Sequence, residues 1–168
     1  PDCLLTNSNG YGVTIAEHVI MVLLMLFRRM PEYEAVVRNR DWSNQLAVRS
    51  IYENAFVILG TGNIGQTTAE RLRGMGAAKI TGLSRSGKGP DCFDEVRPIT
   101  ELDEILPETR TLIMALPGTP ETRHILDRRR IGLLPEGAYV VNVGRGSAID
   151  QEALAEALNG GRLGGAAL

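Results

Sequence analysis

The sequence predicts an α/β fold, a doubly wound parallel sheet, and three observations predict it. Apolar runs alternate with helical stretches from residue 55 onward, the pattern of strands that each cross over through a helix. The first run, residues 56–59, is apolar without interruption, as a strand covered on both faces must be. That run stops abruptly at Gly60, Gly62 and Gly65, a glycine cluster at a strand-to-helix junction.

The elements follow in order. Residues 14–30 read as a helix apolar nearly all round and ended by Pro31, so it needs cover on more than one side. A polar helix over 32–39 leads through Trp42 to the strand at 56–59, and residues 67–75 form the next helix, ending near Gly74 and Gly76. Residues 79–83 are a strand, 86–90 a flexible insert, 102–106 a short helix, 111–116 a strand and 121–134 a helical stretch closed by Pro135. Residues 139–143 are a strand and 150–158 a helix with Asp150 as N-cap and Gly160 and Gly161 after it; a further strand begins at Gly165.

The glycine spacing, G-x-G-x-x-G with Gln66 after it, has a mechanical meaning in this position. Gly60 permits the tight turn out of the strand, Gly62 lets backbone approach a pyrophosphate, and Gly65 lets the helix sit close on the sheet. Thr61, Asn63 and Ile64 complete a loop whose phosphate ligand faces the helix N-terminus, where unpaired N–H groups and the helix dipole favour an anion. A dinucleotide lying across the carboxyl ends of the strands, as in Rossmann folds, is the expectation.

Composition limits the alternatives. With 168 residues the chain has the size of one domain, and Lys+Arg 18 against Asp+Glu 20, a net charge of −2, provides no basic field for nucleic acid or anionic lipid. The apolar run at 19–27 falls short of the ~18–20 residues that span a bilayer. Cys3 and Cys92 are far apart and predict reduced thiols in a cytoplasmic protein; with only two histidines, no metal site is expected. No charged, apolar, small-residue stretch resembling a secretion signal is read at the start, and the start at Pro1 rather than Met suggests a piece of something longer.

The order of motifs resembles the nucleotide-binding domain of the D-isomer-specific 2-hydroxyacid dehydrogenases. The resemblance rests on Thr6-Asn7, Ala16-Glu17-His18, the glycine loop, Leu116-Pro117 with Pro120-Glu121-Thr122-Arg123, the block from Asn142 to Gly146, and the segments starting at Asp150 and Gly164. It implies hydride transfer between a nicotinamide cofactor and a small 2-oxo or D-2-hydroxy acid. It also implies cofactor contacts at Leu116, Pro117, Thr122, Val143, Gly144 and Arg145, and a catalytic role for Arg145. A guanidinium stays protonated, so it is no general acid, but its fork suits a carboxylate and its charge polarises a developing alkoxide.

Members of the family also use a histidine general acid and a carboxylate that orients it, both beyond the strand that begins at Gly165. The chain stops at Leu168, and neither His18 nor His124 matches that motif. The expectation is therefore one dinucleotide-binding domain over residues 1–168, ending before those residues, with the family's second domain largely outside the chain and with little activity on its own. A homodimer built around helix 14–30 and the Trp42 segment is expected, because Ile15, Val19, Ile20, Val22, Leu23, Met25, Leu26 and Phe27 spread apolar surface widely and the family pairs through the corresponding helix.

The second strand ends in Ser84-Arg85-Ser86, where such proteins normally carry an acid that binds the adenosine ribose hydroxyls. Without that carboxylate a 2′-phosphate is not repelled, and Arg85 adds charge-assisted hydrogen bonds to it, so NADP(H) is favoured over NAD. Ser84 and Ser86 are expected to donate hydroxyl hydrogen bonds and Lys88 to add a mobile charge. The run Arg128-Arg129-Arg130 reads as a solvated helix segment rather than a phosphate site. The competing function is a non-catalytic, nucleotide-sensing binding module of the same fold.

Overall fold

The computed structural model describes residues 3, 10–41 and 46–168; Thr6, Asn7 and Trp42 lie outside them. One six-stranded sheet organises the described residues, in the order β3-β2-β1-β4-β5-β6. Its strands are β1 (Ala55–Leu59), β2 (Lys79–Ser84), β3 (Glu95–Pro98), β4 (Thr111–Met114), β5 (Ala138–Asn142) and β6 (Leu163–Ala167), and every neighbouring pair is parallel. The chain winds outward from β1 to β3, then returns to place β4 on β1's other side. That reversal opens a crevice at the carboxyl ends of β1 and β4.

Strand pleating sends alternate side chains to opposite faces, and each face is packed. Phe56 and Ile58 of β1 join Ile80, Ile113 and Val141 beneath α1 (Gly12–Phe27) and α3 (Asn63–Gly74). Val57 and Leu59 join Leu83, Leu112, Met114 and Val140 beneath α4 (Leu102–Ile105), α5 (Arg128–Leu133) and α6 (Gln151–Asn159). Asp150 caps α6 by accepting from the Ala153 N–H at 3.1 Å. α1 packs chiefly on α3, where Arg71 pairs with Glu17, and α1 also reaches β6.

Three sequence expectations change. Helix 14–30 ends earlier, at Phe27, because the chain turns at Arg28 and the left-handed Arg29 (φ 52°), which starts α2 (Met30–Arg38). Pro31 lies in the first turn of α2, where its missing N–H has no helical acceptor to lose, so it begins a helix rather than ending one. The stretch 121–134 is not one helix. A 3₁₀ turn at Pro120–Thr122 gives way to a left-handed His124 (φ 47°) and a parallel bridge between Leu126 and Ile149, and only Arg128–Leu133 is helical. This path buries Ile125 and Leu126, which are consecutive and do not fall on one helix stripe. The third change is β3, an additional strand at the sheet edge.

On α1, Ala16, Val19, Leu23 and Phe27 recur at helical spacing and are fully buried against this chain's own core. Val19, Leu23 and Phe27 are thus unavailable for an interface. The open face carries Val13 at 50%, Met21 at 49% and Met25 at 44% exposure, with Met30 and Val37 of α2 also exposed. No helix among the described residues is long and apolar enough to cross a membrane.

Candidate functional site

The glycine loop crosses from β1 into α3 as its spacing requires. Gly60 has φ +100°, and a Cβ there would lie 2.7 Å from the Ala115 carbonyl oxygen. A Cβ on Gly65 would fall 1.9 Å from the Gly60 oxygen, so only glycine lets α3 approach β1 this closely. Gly62 is different: nothing lies within 4 Å of its absent Cβ, and as N-cap it offers no side chain to the helix. The N–H groups of Asn63, Ile64 and Gly65 in the first turn therefore lack both intrahelical and side-chain cap partners, as a phosphate site requires.

A cleft of about 530 Å³ opens in front of this loop at the carboxyl ends of the strands. It brings together Gly60, Thr61, Gly62, Ser84, Arg85, Ser86, Leu116, Pro117 and Thr122. Asn63, Ile64 and Gly65 sit behind it in α3; the Asn63 side chain turns to Gly12 of α1, whose glycine leaves it room. Leu83, Lys88, Ile99, Thr119, Glu121 and Ile125 complete the lining. Of these, Lys88 was legible as a cation beside the Ser-Arg-Ser turn and Glu121 belongs to the Pro-Glu-Thr-Arg block, while Thr119, just before it, was not singled out. Ile99 and Ile125 carried no signal.

Hydroxyl groups in the cleft do structural duty. Ser84 Oγ donates to the Lys88 carbonyl at 2.9 Å and accepts the Lys88 N–H at 3.1 Å, so it closes the 84–88 turn rather than facing a ligand with a free proton. Ser84 nonetheless lines the cleft, and Ser86 Oγ accepts from Lys88 N at 3.3 Å. Thr122 Oγ1 donates to the Pro117 carbonyl at 2.6 Å and accepts the Thr119 N–H at 2.9 Å, which folds the 117–122 loop over the cleft. Glu121 on that loop has its carboxyl held below the ordinary range, first by a hydrogen bond from Thr119, then by a backbone N–H, with a contribution from the charge of Arg85.

Beside the cleft, β5 ends in a turn that presents Arg145. Buried Asn142 holds it from within: its Oδ1 accepts the Gly144 N–H at 3.0 Å and its Nδ2 donates to the Arg145 carbonyl at 3.0 Å. Gly144 must be glycine, since a Cβ would meet the Leu116 oxygen at 2.5 Å. The Arg145 side chain is exposed, lies against Gly118, and among the described residues donates only to its neighbour, the Gly144 carbonyl, at 3.2 Å. It lines a pocket of about 510 Å³ with Gly118, Thr119, Arg123 and Ser147, and Thr119 is shared with the main cleft. Val143 and Gly144 line a third hollow, about 430 Å³, with Thr14, Ile15 and His18. His18 thus stands nearer the Arg145 turn than its place in α1 suggested, and His124 lines a hollow with Asp150 and Glu152 that shares Arg123 and Ser147 with the Arg145 pocket.

The triple arginine, read as a solvated helix segment, opens α5 and is engaged in ion pairs, with Arg130 the least exposed of the three. Arg128 pairs with Glu156, and Arg129 and Arg130 both grip Asp103 at 2.6 Å, holding its carboxyl below the ordinary range.

Residues 20–168 match the family model described as the D-isomer specific 2-hydroxyacid dehydrogenase, NAD binding domain. A D-lactate dehydrogenase of Treponema pallidum is 32% identical over 98% of this chain and 50% of its own length. Among solved structures, an NADPH-dependent glyoxylate/hydroxypyruvate reductase from Sinorhizobium meliloti superposes with a TM-score of 0.86 at 30% identity, covering 97% of this chain and 82% of that one. A D-isomer specific 2-hydroxyacid dehydrogenase from Xanthobacter autotrophicus Py2, in complex with NADPH and MES, gives 0.85 at 29% identity, over 99% of this chain and 69% of that one. The chain spans about half the length of the curated relatives it matches. With its glycine loop, its strand order and an Asn-x-x-Arg-Gly turn at the end of β5, the chain belongs to the D-isomer specific 2-hydroxyacid dehydrogenase family, as its nicotinamide-dinucleotide-binding domain.

Proposed function

We propose that the protein reduces a 2-oxo acid to its D-2-hydroxy acid with NADPH, residues 1–168 acting as its dinucleotide-binding unit in the cytoplasm. The observation that carries this is an arginine in each of two hollows joined at Thr119: Arg85 where an adenosine ribose phosphate would sit, Arg145 on the turn fixed by Asn142. Gly62 and the first-turn N–H groups of α3 would hold the pyrophosphate. When bound, the cofactor supplies the hydride. Arg145 grips the substrate carboxylate with its fork and offsets the negative charge that grows on the carbonyl oxygen. Because the guanidinium keeps its proton, the proton that completes the alcohol comes from another group.

The preference for NADPH rests on Arg85, Ser86 and Lys88 at the lip, with Ser84 in place of a carboxylate. A charge-assisted hydrogen bond is worth roughly 1.5–3 kcal/mol, so Arg85→Ala is expected to weaken NADPH about 10- to 100-fold and leave NADH nearly unchanged. Calorimetric titration of both cofactors checks it; an equal loss for the two, or a native preference for NADH, would overturn the assignment.

We further infer a homodimer formed through the exposed face of α1 and α2, not through the buried stripe of α1. Burying a large apolar side chain contributes roughly 1.5–3 kcal/mol, so Met21→Glu with Met25→Glu is expected to raise the dimer dissociation constant at least ~100-fold without unfolding the chain. Sedimentation at micromolar concentration decides: an unaltered dimer in the double variant, or a native monomer, rejects the interface.

A further inference from the structure

We propose that Glu121 sets the margin by which this cleft separates NADPH from NADH, acting as a counter-charge that a 2′-phosphate must overcome to reach Arg85. This rests on the assignment of Arg85 to that phosphate, and it adds a residue that works against it.

Glu121 and Arg85 line the same cleft from opposite sequence segments, one on the 3₁₀ turn Pro120–Thr122 and the other at the end of β2. Thr119 and Thr122 close a reciprocal capping box that fixes the backbone of this turn. Among the described residues Glu121 forms no ion pair, and it is exposed to the cleft's solvent. Arg85 and Lys88 share the cleft with it, and the charge of Arg85 contributes to holding its carboxyl below the ordinary range. A phosphate approaching Arg85 meets that negative charge; a ribose hydroxyl carries no charge to be repelled. Glu121 therefore weakens NADPH and leaves NADH alone. Both groups are exposed, so the effect is modest and screened by salt.

The experiment titrates NADPH and NADH into the full-length protein and its Glu121→Gln, Glu121→Asp, Glu121→Ala and Arg85→Ala variants, at low and high ionic strength. Exposed charge interactions of this size correspond to about three- to five-fold, so Glu121→Gln and Glu121→Ala should tighten NADPH by that factor at low salt. NADH should be unaffected, Glu121→Asp should match the native protein, and near 1 M salt, where the Debye length is about 3 Å, the gain should vanish. An unchanged or weakened NADPH affinity in both the Gln and Ala variants overturns the proposal, as does an equal change for both cofactors. If Arg85→Ala selectively weakens NADPH while Glu121→Gln and Glu121→Ala change nothing, only the role of Glu121 fails. If Arg85→Ala does not discriminate between the cofactors, the phosphate assignment fails and the role of Glu121 with it.

Discussion

Gly65→Ala is expected to lower the melting temperature by about 4–8 °C and to abolish dinucleotide binding. A methyl group there would lie 1.9 Å from the Gly60 carbonyl oxygen and 3.4 Å from Ile58 Cγ2. The first of these neighbours is backbone at the end of β1, so relief requires α3 to lift from the sheet. Overpacking costs typically ~1–3 kcal/mol and occasionally more, and a backbone clash this close lies at the upper end. Against it stands only the helix preference of alanine over glycine, ~1 kcal/mol. The clash wins, and for a chain of this size each ~1 kcal/mol lost moves the midpoint by ~2–4 °C. Lifting α3 also withdraws its first-turn N–H groups from the cleft. Gly74, at the other end of α3, supplies the control, since nothing lies within 4 Å of its absent Cβ. Gly74→Ala should be neutral or stabilising by up to ~1 kcal/mol. Thermal melts followed by circular dichroism test the pair, and equal midpoints for Gly65→Ala and the native protein would show that α3 does not sit on β1 as described.

The glycine loop was legible because its constraint is written in the backbone. A positive φ at Gly60 and two close approaches, at Gly60 and Gly65, each exclude every other residue type, and the spacing records the geometry directly. The buried strands were legible for a similar reason, since β1 and β5 lie in the middle of the sheet and are apolar on both faces. β3 was not. Its four residues, Glu95-Val96-Arg97-Pro98, lie at an edge, where Pro98 loses no ladder bond that matters and Arg97 pairs outward with Glu101 and Glu104. Nothing in that string distinguishes a strand from a loop, and Ile99, which follows it into the cleft wall, was invisible with it. The arginine of the β5 turn was legible from its motif, but the part played by Asn142 depends on hydrogen bonds to Gly144 and Arg145 that spacing alone does not specify. Ser84 is a mixed case. Its type and place suggested a ligand donor, and it does line the cleft, but its bonds to the Lys88 backbone depend on a turn that spacing alone does not specify.

In the full-length protein, Arg145→Ala is expected to reduce kcat/KM for 2-oxo acids by three orders of magnitude or more. Removing one donor to a developing oxyanion typically costs on the order of 10²–10³ in kcat, and here the same side chain also holds the carboxylate, so binding is lost as well. The pocket geometry supports a single residue in both roles. Arg145 lines the pocket with Gly118 and Ser147, it has no carboxylate partner among the described residues, and Asn142 fixes the turn beneath it. Arg145→Lys separates the contributions. The ammonium keeps the charge but not the planar fork, so it should recover part of kcat while KM stays high, because bidentate recognition of the carboxylate is absent. NADPH affinity should be nearly unchanged in both variants, since the side chain lies in the pocket beside the dinucleotide cleft rather than in it. Steady-state kinetics with cofactor titration separate these outcomes. A kcat/KM within ten-fold of native for Arg145→Ala, or a loss traced entirely to cofactor binding, would remove Arg145 from the chemistry and leave the turn a purely structural element.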